Sequence, residues 1–320
     1  SKIDPSKIGA IGISYQMHGL VVVDKEGHPL RNAIIWCDSR AVEIGNKAFQ
    51  ELSPERCSKS LLNSPANFTA SKLKWVKDNE PELYDKIHKF MLPGDFIAYK
   101  LTGDIVTTKN GLSEGIFWDY QSDTVADWLL DYFDFDARLV PNIVENFTPQ
   151  GIVSKKASEE TGLPEGIPIT YRAGDQPNNA LSLNVFNDGE VAATGGTSGV
   201  IYAVSNNKTS KEANRINHFA HVNYSKENPT IGKLLCINGA GIMYRWLRNQ
   251  SSAESYETMN RKASKVAIGS DGLVILPFGN GAERMLNNTN VGTQFCNINL
   301  NQHNKEHLYR AALEGIAFSF

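Results

Sequence analysis

The sequence has few cysteines, and none of them forms a motif. Cys37, Cys57, Cys236 and Cys296 are the only four in 320 residues, and no C-x-x-C pair occurs. Such isolated thiols favour reduced cysteines in a cytosol over a disulfide framework or a cysteine-rich zinc site. We therefore expect a cytoplasmic protein.

Long hydrophobic runs and a strong charge of either sign are also missing. The longest apolar runs have the length of a strand, too short for a helix that crosses a bilayer. The 32 Lys and Arg residues nearly balance the 35 Asp and Glu residues, for a net charge of −3. This balance gives no electrostatic reason to expect nucleic acid or an anionic membrane as a partner, and we expect neither.

Both ends of the sequence lack the signals of a complete chain. The sequence begins Ser1-Lys2-Ile3 with no methionine and no signal-peptide pattern. The last amphipathic segment continues to Phe320 without a residue that would stop a helix. We expect that segments are missing at both ends.

The composition that is present, 41% hydrophobic and 21% charged, is ordinary for a globular protein. A length of 320 residues predicts two domains. Apolar runs of strand length alternate with helical patterns along the whole chain, which predicts an α/β fold. We place the domain boundary near 185–189 and expect domains at 1–185 and 186–320.

The first strands are predicted at 8–13, 19–23 and 33–36. The sequence Asp24-Lys25-Glu26-Gly27 between the last two is typical of a hairpin turn in which the glycine takes positive φ. Asp38 or Ser39 is predicted to cap the helix that follows. Further elements are predicted as strand 166–170, helix 177–183, turn 187–189, strand 234–238, helix 242–248 and strand 272–278.

Asp175 and Gln176 follow the strand predicted at 166–170. Ligands of open α/β sheets collect at the carboxyl ends of strands, and Pro177 suits the first turn of a helix. A carboxylate at that point could accept a proton from a hydroxyl that attacks phosphorus. The alternative is a structural aspartate that caps the helix N-terminus.

Met17 and His18 end another strand and could form one side of a polar pocket. Histidine can donate to a sugar hydroxyl, and methionine supplies an adaptable apolar wall. The alternative is a structural histidine. Trp36 could stack on the apolar face of a sugar or lie in the core, whereas we expect Asp38 and Arg40 to be a cap and a solvated side chain.

The glycine-rich run Gly195-Gly196-Thr197-Ser198-Gly199 lies between two short apolar runs. Glycine lets main-chain N–H groups approach phosphate oxygens, and Thr197 and Ser198 add hydroxyl donors. The run is neither a Walker A sequence nor a G-x-G-x-x-G fingerprint, so a plain hairpin is the alternative. Gly239, before the helix predicted at 242–248, has the same two interpretations.

Two further groups of residues suggest structural roles. The sequence His218-x-x-His221 lacks a third ligand at a recognisable spacing, so we expect no metal site there. Glu283 and Arg284 follow a predicted buried strand, and we expect them to pair or to position a loop.

The order of several short motifs identifies a family. They are Q-M-H-G at 16–19, W-x-D-x-R at 36–40, K-L-K-W at 72–75, L-T-G at 101–103, G-D-Q at 174–176, G-T-S at 196–198, L-P-F at 276–278 and L-E-G at 313–315. In this order the chain resembles the FGGY family of carbohydrate kinases from end to end.

The resemblance implies two ribonuclease H-like, actin-like domains with a cleft between them, both incomplete in this chain. It implies a sugar substrate and ATP with Mg²⁺, and it leaves a homodimer open. Asp175 would be the catalytic base. Met17, His18, Trp36 and Gln176 would contact the sugar, and the ATP phosphates would face Gly196, Thr197, Ser198 and Gly239. No metal ligand is assigned. The Q-M-H-G motif favours D-xylulose, phosphorylated at O5.

Several positions depart from relatives in the family. Members that phosphorylate glycerol carry Arg-Glu where this chain has Met17-His18, and tyrosine where we align Asn67, so glycerol is disfavoured. The family's N-terminal D-x-G-T hairpin and C-terminal adenosine motif are absent, so the chain alone could be inert. The alternatives are another sugar of the family (gluconate, ribulose or rhamnulose) or a non-catalytic sugar-binding protein with the same fold.

Overall fold

The structure is a computed structural model that describes residues 4–253, 255–281, 283–287 and 289–320. It has two compact units. Unit 1 comprises residues 1–190, 203–213 and 218–232, and unit 2 comprises 191–202, 214–217 and 233–320. The first unit thus ends close to the predicted boundary, but it also takes in two later segments that the sequence analysis assigned to the second domain. In the described residues, no helix is both long and apolar enough to cross a membrane.

Unit 1 is built from short strands and helices in alternation. In chain order its elements are β1 (Ile11–Tyr15), β2 (Val21–Val23), α1 (Val42–Glu51), α2 (Pro54–Ser60), α3 (Thr69–Asn79), α4 (Pro81–Tyr84), β3 (Lys89–Met91), α5 (Pro93–Thr102), β4 (Val106–Thr108), α6 (Lys109–Glu114), β5 (Trp118–Asp119), β6 (Thr124–Val125), α7 (Asp127–Phe133), β7 (Asn142–Val144), α8 (Lys155–Thr161), β8 (Ile169–Gly174) and α9 (Asp175–Ser182).

The parallel pair β1 and β8 carries the ends of two predicted site segments. Ser14 pairs with Ala173 and Tyr15 with Gly174, so the two strands end side by side. Ile13, Tyr15 and Ile169 pack with residues of α5 in a buried apolar cluster beneath the pair. The register therefore brings the residues after Tyr15 next to those after Gly174.

A buried ion pair joins α5 to β8. Arg172 Nη1 lies 3.1 Å from Asp95 Oδ1, and neither side chain is exposed. Arg172 Nε also donates to Gln150, and the Thr107 hydroxyl donates to the second oxygen of Asp95. Removing one partner of such a pair leaves a buried charge uncompensated, so this network holds β8 in place.

The hairpin predicted near the N-terminus is confirmed, except for its last strand. Gly27 has φ 77°, and its N–H bonds the carbonyl of Asp24. Residues 33–36 do not form the predicted strand, because only Ile34 bridges to Leu20. The predicted cap of α1 by Asp38 or Ser39 is also wrong. Ala41 takes the N-cap position of α1, and no side chain caps it.

Single residues mark two helix ends in unit 1, and one predicted strand is displaced along the chain. Pro81 opens α4, and Gly103 ends α5 with the left-handed φ of 87° that a missing Cβ permits. The strand predicted at 166–170 lies later, at Ile169–Gly174.

The second half of the chain contains β9 (Val191–Gly195), β10 (Gly199–Ser205), β11 (Asn217–Ala220), β12 (Ile231–Ile237), α10 (Ala240–Gln250), α11 (Tyr256–Ala263), β13 (Val274–Leu276), β14 (Gln294–Cys296) and α12 (Lys305–Ser319). The first four strands lie in the order β11-β12-β10-β9, and β13 pairs antiparallel with β14. These bounds match the predicted strands and helices within a few residues. 3₁₀ turns lie at Pro5–Lys7, Ala137–Leu139, Ser270–Gly272 and Arg284–Leu286.

The core of unit 2 lies between helices α10, α11 and α12 and strand β13. Met243, Leu247, Met259, Ile275 and Ala312 are buried together there. Gly315 lets α12 approach β13, because a Cβ on this glycine would lie 2.0 Å from the carbonyl oxygen of Ile275. The close contact fixes the helices that border the glycine-rich turn.

Candidate functional site

Asp175 is the first residue of α9, directly after the last residue of β8. Gly174 has the N-cap position, so the alternative that Asp175 is a structural N-cap does not hold. The Gln176 amide donates to Asp175 Oδ2 over 2.9 Å. Burial raises the pKa of the Asp175 carboxyl, and the hydrogen bond from Gln176 opposes that shift. A partly buried carboxylate with a raised pKa is a suitable proton acceptor.

Met17 packs against the same strand end. Its side chain is 5% exposed. A Cβ on Gly174 would lie 2.4 Å from Met17 Cγ and 2.5 Å from Glu114 Oε2. Glycine at position 174 therefore lets Met17 and Glu114 close over the backbone that leads into Asp175.

His18 is fixed on several sides. Its backbone has φ 62°, in the left-handed region that is uncommon for a residue with a side chain. The imidazole packs edge-on to Phe68 with 4.7 Å between centroids, and it lies 5.1 Å from the ring of Phe219. Nδ1 donates to the main-chain oxygen of Glu114 over 3.0 Å. The ring is thus held in one orientation beside Met17.

Trp36 joins this group through its backbone. Its N–H donates to Oε1 of Gln16 over 2.9 Å, while its side chain is 60% exposed. The alternative that it lies in the core does not hold, and its ring is accessible to solvent.

Lys72 connects the segments that carry His18 and Trp36, and the sequence analysis gave it no role. Its Nζ donates to the carbonyl of His18 over 2.8 Å and to that of Ile35 over 3.0 Å. The side chain is fully buried on α3. Burial lowers the pKa of Lys72 to about 8, and the charge of Asp38 opposes that shift. A lysine inside the K-L-K-W motif, on a helix face that is otherwise buried, was the available signal.

Asp38 and Arg40 pair with each other. Arg40 Nη2 lies 2.6 Å from Asp38 Oδ2, and the guanidinium lies 4.5 Å from the centroid of the Trp75 ring. The hydrogen bonds from Arg40 lower the pKa of Asp38 to about 2. Arg40 is therefore not simply a solvated side chain, and this pair borders the loop that follows Trp36.

The glycine-rich run in unit 2 is a tight turn between β9 and β10. The N–H of Gly196 bonds the carbonyl of Ser198 over 2.9 Å. Gly241 N–H and Ile242 N–H, at the start of α10, bond the carbonyls of Gly196 and Thr197 over 3.1 and 3.0 Å. The turn is therefore tied to α10, while Gly196 and Thr197 themselves stay exposed.

A cavity of about 430 Å³ opens beside this turn. It is lined by residues of the turn, of α10 and α11, and of α12, namely Gly196, Thr197, Gly241, Tyr244, Arg245, Tyr256, Asn260 and Leu313. Its size is in the range of small-molecule sites. The exposed turn, with its hydroxyl, and the Arg245 guanidinium are donors suited to phosphate oxygens, and two tyrosines offer flat apolar faces. The residues present thus fit a nucleotide.

Gly239 lies outside this lining. Its N–H bonds Glu283 Oε1 over 3.0 Å, and a Cβ at this position would lie 1.8 Å from the carbonyl oxygen of Pro277. Glu283 also accepts the N–H of Asn238, which agrees with its expected role in positioning a loop. Gly241 and Arg245 border the cavity instead. Arg245 stands four residues after Gly241, a spacing that puts both on one helix face and could have identified it.

His218 and His221 are both buried. His221 Nε2 lies 3.0 Å from the carbonyl oxygen of Val185, and burial lowers its pKa to about 4. The described ranges contain no group of three or more side chains placed to hold a metal ion. The contact with Val185 and the lowered pKa indicate a neutral His221 ring with a structural role.

Comparison with known proteins places this chain in a family. Residues 1–182 match the N-terminal domain of the FGGY family of carbohydrate kinases. The chain is 29% identical to a xylulose kinase from Staphylococcus xylosus, with 97% of this chain and 63% of that protein covered. It is 31% identical to a glycerol kinase from Thermococcus onnurineus, with 99% and 64% covered. The chain thus spans less than two thirds of these relatives.

A solved structure agrees with the sequence relatives. The xylulose kinase from Rhodospirillum rubrum has a TM-score of 0.87 and 26% identity, with 98% of this chain and 63% of that chain covered. The α/β class and the ribonuclease H-like, actin-like fold type predicted above are confirmed by this likeness. Because more than half of the chain matches the family's N-terminal domain, the protein belongs to the FGGY family of carbohydrate kinases.

Proposed function

We propose that this chain is part of a kinase that transfers a phosphoryl group from ATP, with Mg²⁺, to O5 of D-xylulose. The N-terminal domain, 1–185, would bind the sugar, and the C-terminal domain, 186–320, would bind the nucleotide. One observation carries the proposal: the register of β1 with β8 brings Met17 and His18 to the strand end that leads into Asp175. Xylulose kinases among the relatives support the choice of sugar.

The roles of the sugar-side residues follow from their contacts. Asp175 accepts the proton of the attacking hydroxyl, and its raised pKa makes it a better acceptor than an ordinary aspartate. The Gln176 amide holds the carboxylate in place. Met17 forms an apolar wall, the fixed ring of His18 meets sugar hydroxyls, and the exposed face of Trp36 stacks on the sugar.

The roles of the nucleotide-side residues follow from the turn that is tied to α10. ATP supplies the transferable phosphoryl group when bound. Main-chain N–H groups and hydroxyls of Thr197 and Ser198 would hold phosphate oxygens, and Arg245 would balance their charge. Preorganised donors of this kind provide most of the catalysis of phosphoryl transfer.

The test is to offer a panel of sugars and polyols to the intact polypeptide from its source cell and to measure ADP release by a coupled assay. The panel holds D-xylulose, D-ribulose, L-rhamnulose, D-gluconate and glycerol. We expect the highest kcat/KM with D-xylulose. Equal or faster turnover of another member would reject the sugar, and sugar binding by calorimetry without ADP release would reject the kinase activity.

A second candidate is a kinase of the same family that acts on another polyol. The 31% identity to a glycerol kinase favours it, although Met17-His18 argues against glycerol itself. The same panel separates the two candidates.

A further inference from the structure

Glu114 is a buried carboxyl group beside Gly174 in the proposed sugar site, and the proposed chemistry does not use it. Its side chain is 2% exposed at the end of α6. Glu114 Oε2 lies 2.5 Å from the place where a Cβ on Gly174 would stand, beside Met17. The main-chain oxygen of the same residue accepts the hydrogen bond of His18. Glu114 thus lies against Gly174 through its side chain and holds the His18 ring through its main chain.

The polar surroundings of Glu114 do not match an ionised carboxylate. Within the described part of the chain, neither Glu114 Oε1 nor the hydroxyl of Tyr15 has a hydrogen-bond partner of normal geometry. Both atoms are buried. A carboxylate in such a place would lose its hydration with only the nearby Tyr15 hydroxyl to compensate, so the neutral acid is the favoured form.

Two neighbouring carboxylates favour the same neutral form. They are Asp95 on α5 and Asp175 on α9, while Tyr15 on β1 offers its hydroxyl to Glu114. Arg172, the cation of β8, directs Nη1 to Asp95 and to the carbonyl of Val106, and Nε to Gln150. Burial raises the pKa of Glu114 well above its ordinary value, the Tyr15 hydroxyl opposes the shift, and Asp95 and Asp175 add to it.

We propose that Glu114 is a positioning residue of the sugar site that acts as a neutral carboxylic acid beneath Gly174. It keeps its own proton, so Asp175 can ionise and accept the substrate's proton without a second negative charge at the strand end. Its bulk also supports Met17 and Gly174 from below. This inference rests on the proposed sugar kinase function.

The protonation state is tested without any activity. Infrared difference spectra of the intact wild-type protein and of Glu114→Gln at neutral pH compare the carboxyl C=O stretch of protonated acids. We expect a protonated-acid band in the wild type that the variant lacks. If no band is lost, Glu114 is ionised and the inference fails. Should Glu114→Gln not fold, Glu114→Met gives the same comparison.

The positioning role is tested by kinetics on the same proteins. Glu114→Ala leaves a cavity beneath Gly174 into which Met17 can shift, and we expect it to raise the KM for sugar about tenfold with the KM for ATP unchanged. Glu114→Gln, an isostere of the neutral acid, should restore most of that loss. Equal losses in both variants, or a parallel rise of both KM values, would overturn the proposal.

The two proposals fail in different ways. If the wild-type protein phosphorylates no sugar, the proposed function is wrong, while the infrared band still reports whether Glu114 is neutral. If the wild-type protein is active and the band is absent, only the inference about Glu114 is wrong.

Discussion

The side-chain amide of Gln176 donates a hydrogen bond to Oδ2 of Asp175, with 2.9 Å between the two atoms. The bond favours the charged form of the carboxylate, against the effect of burial. The residue next to the proposed base therefore tunes the pH at which that base becomes active.

Replacing Gln176 with Leu should move the acidic limb of the kcat/KM profile to higher pH. Activity needs ionised Asp175, so it falls as pH drops through the pKa of this group, and loss of the hydrogen bond raises that pKa. The measurement is kcat/KM for D-xylulose across the acidic range. A profile that keeps its position would show that Asp175 does not control this limb. Gln121→Leu, at an exposed position, is the control.

Asp175→Asn should lower kcat by about 10²–10⁴-fold, the usual contribution of a general base. The amide keeps the shape of the side chain, so sugar binding measured by calorimetry should remain. Asp131→Asn on the exposed face of α7 is the matched control and should retain full turnover. Turnover near wild type in Asp175→Asn would remove Asp175 from the mechanism.

Lys72→Met should raise the KM for sugar by about tenfold or more, because each hydrogen bond from a charged donor contributes about 1.5–3 kcal/mol. The carbonyls of His18 and Ile35 lose their shared donor, so the two segments can separate. The KM for ATP should stay unchanged. Lys74→Met, whose partner is Asp78 on the surface of the same helix, is the control. An effect on ATP alone would contradict the role of Lys72.

Gly241→Ala should weaken ATP binding and leave sugar binding intact. The new methyl group would lie 2.0 Å from the carbonyl oxygen of Gly196, so the turn must shift. Gly195→Ala, where a Cβ meets nothing within 4 Å, is the matched control in the same turn. Nucleotide affinity is measured by calorimetry for both variants. Equal affinities would show that the turn is not part of the nucleotide site.

Sequence patterns predicted those elements whose conformation depends on the residues within them. The Gly27 turn, for example, follows from the positive φ that a single glycine permits. The strand predicted at 33–36 did not form, since pairing depends on partners elsewhere in the chain, and only Ile34 meets Leu20. Asp38 was predicted to cap α1, but its carboxylate pairs with Arg40 instead. The sequence does not show which of the two partners the carboxylate prefers.

The candidate site shows the same limit. Asp175, Met17 and His18 were found because each follows a strand, and parallel strand ends converge. Lys72 and Glu114 were missed because both lie on helices and reach the site only through tertiary packing. Gly239 and Gly241 could not be told apart by sequence, and only the contacts to Glu283 and to the turn distinguish them.

The left-handed backbone at His18 carries a consequence for how this protein can change. Glycine adopts that conformation freely, whereas a residue with a side chain is disfavoured there by roughly 1–2 kcal/mol. The imidazole is therefore kept at a conformational cost, against which stand its packing on Phe68 and Phe219 and its hydrogen bond to Glu114. Glycine at this position would relax the backbone but would lose these ring contacts and the bond to Glu114, so a single substitution offers no simple gain in stability.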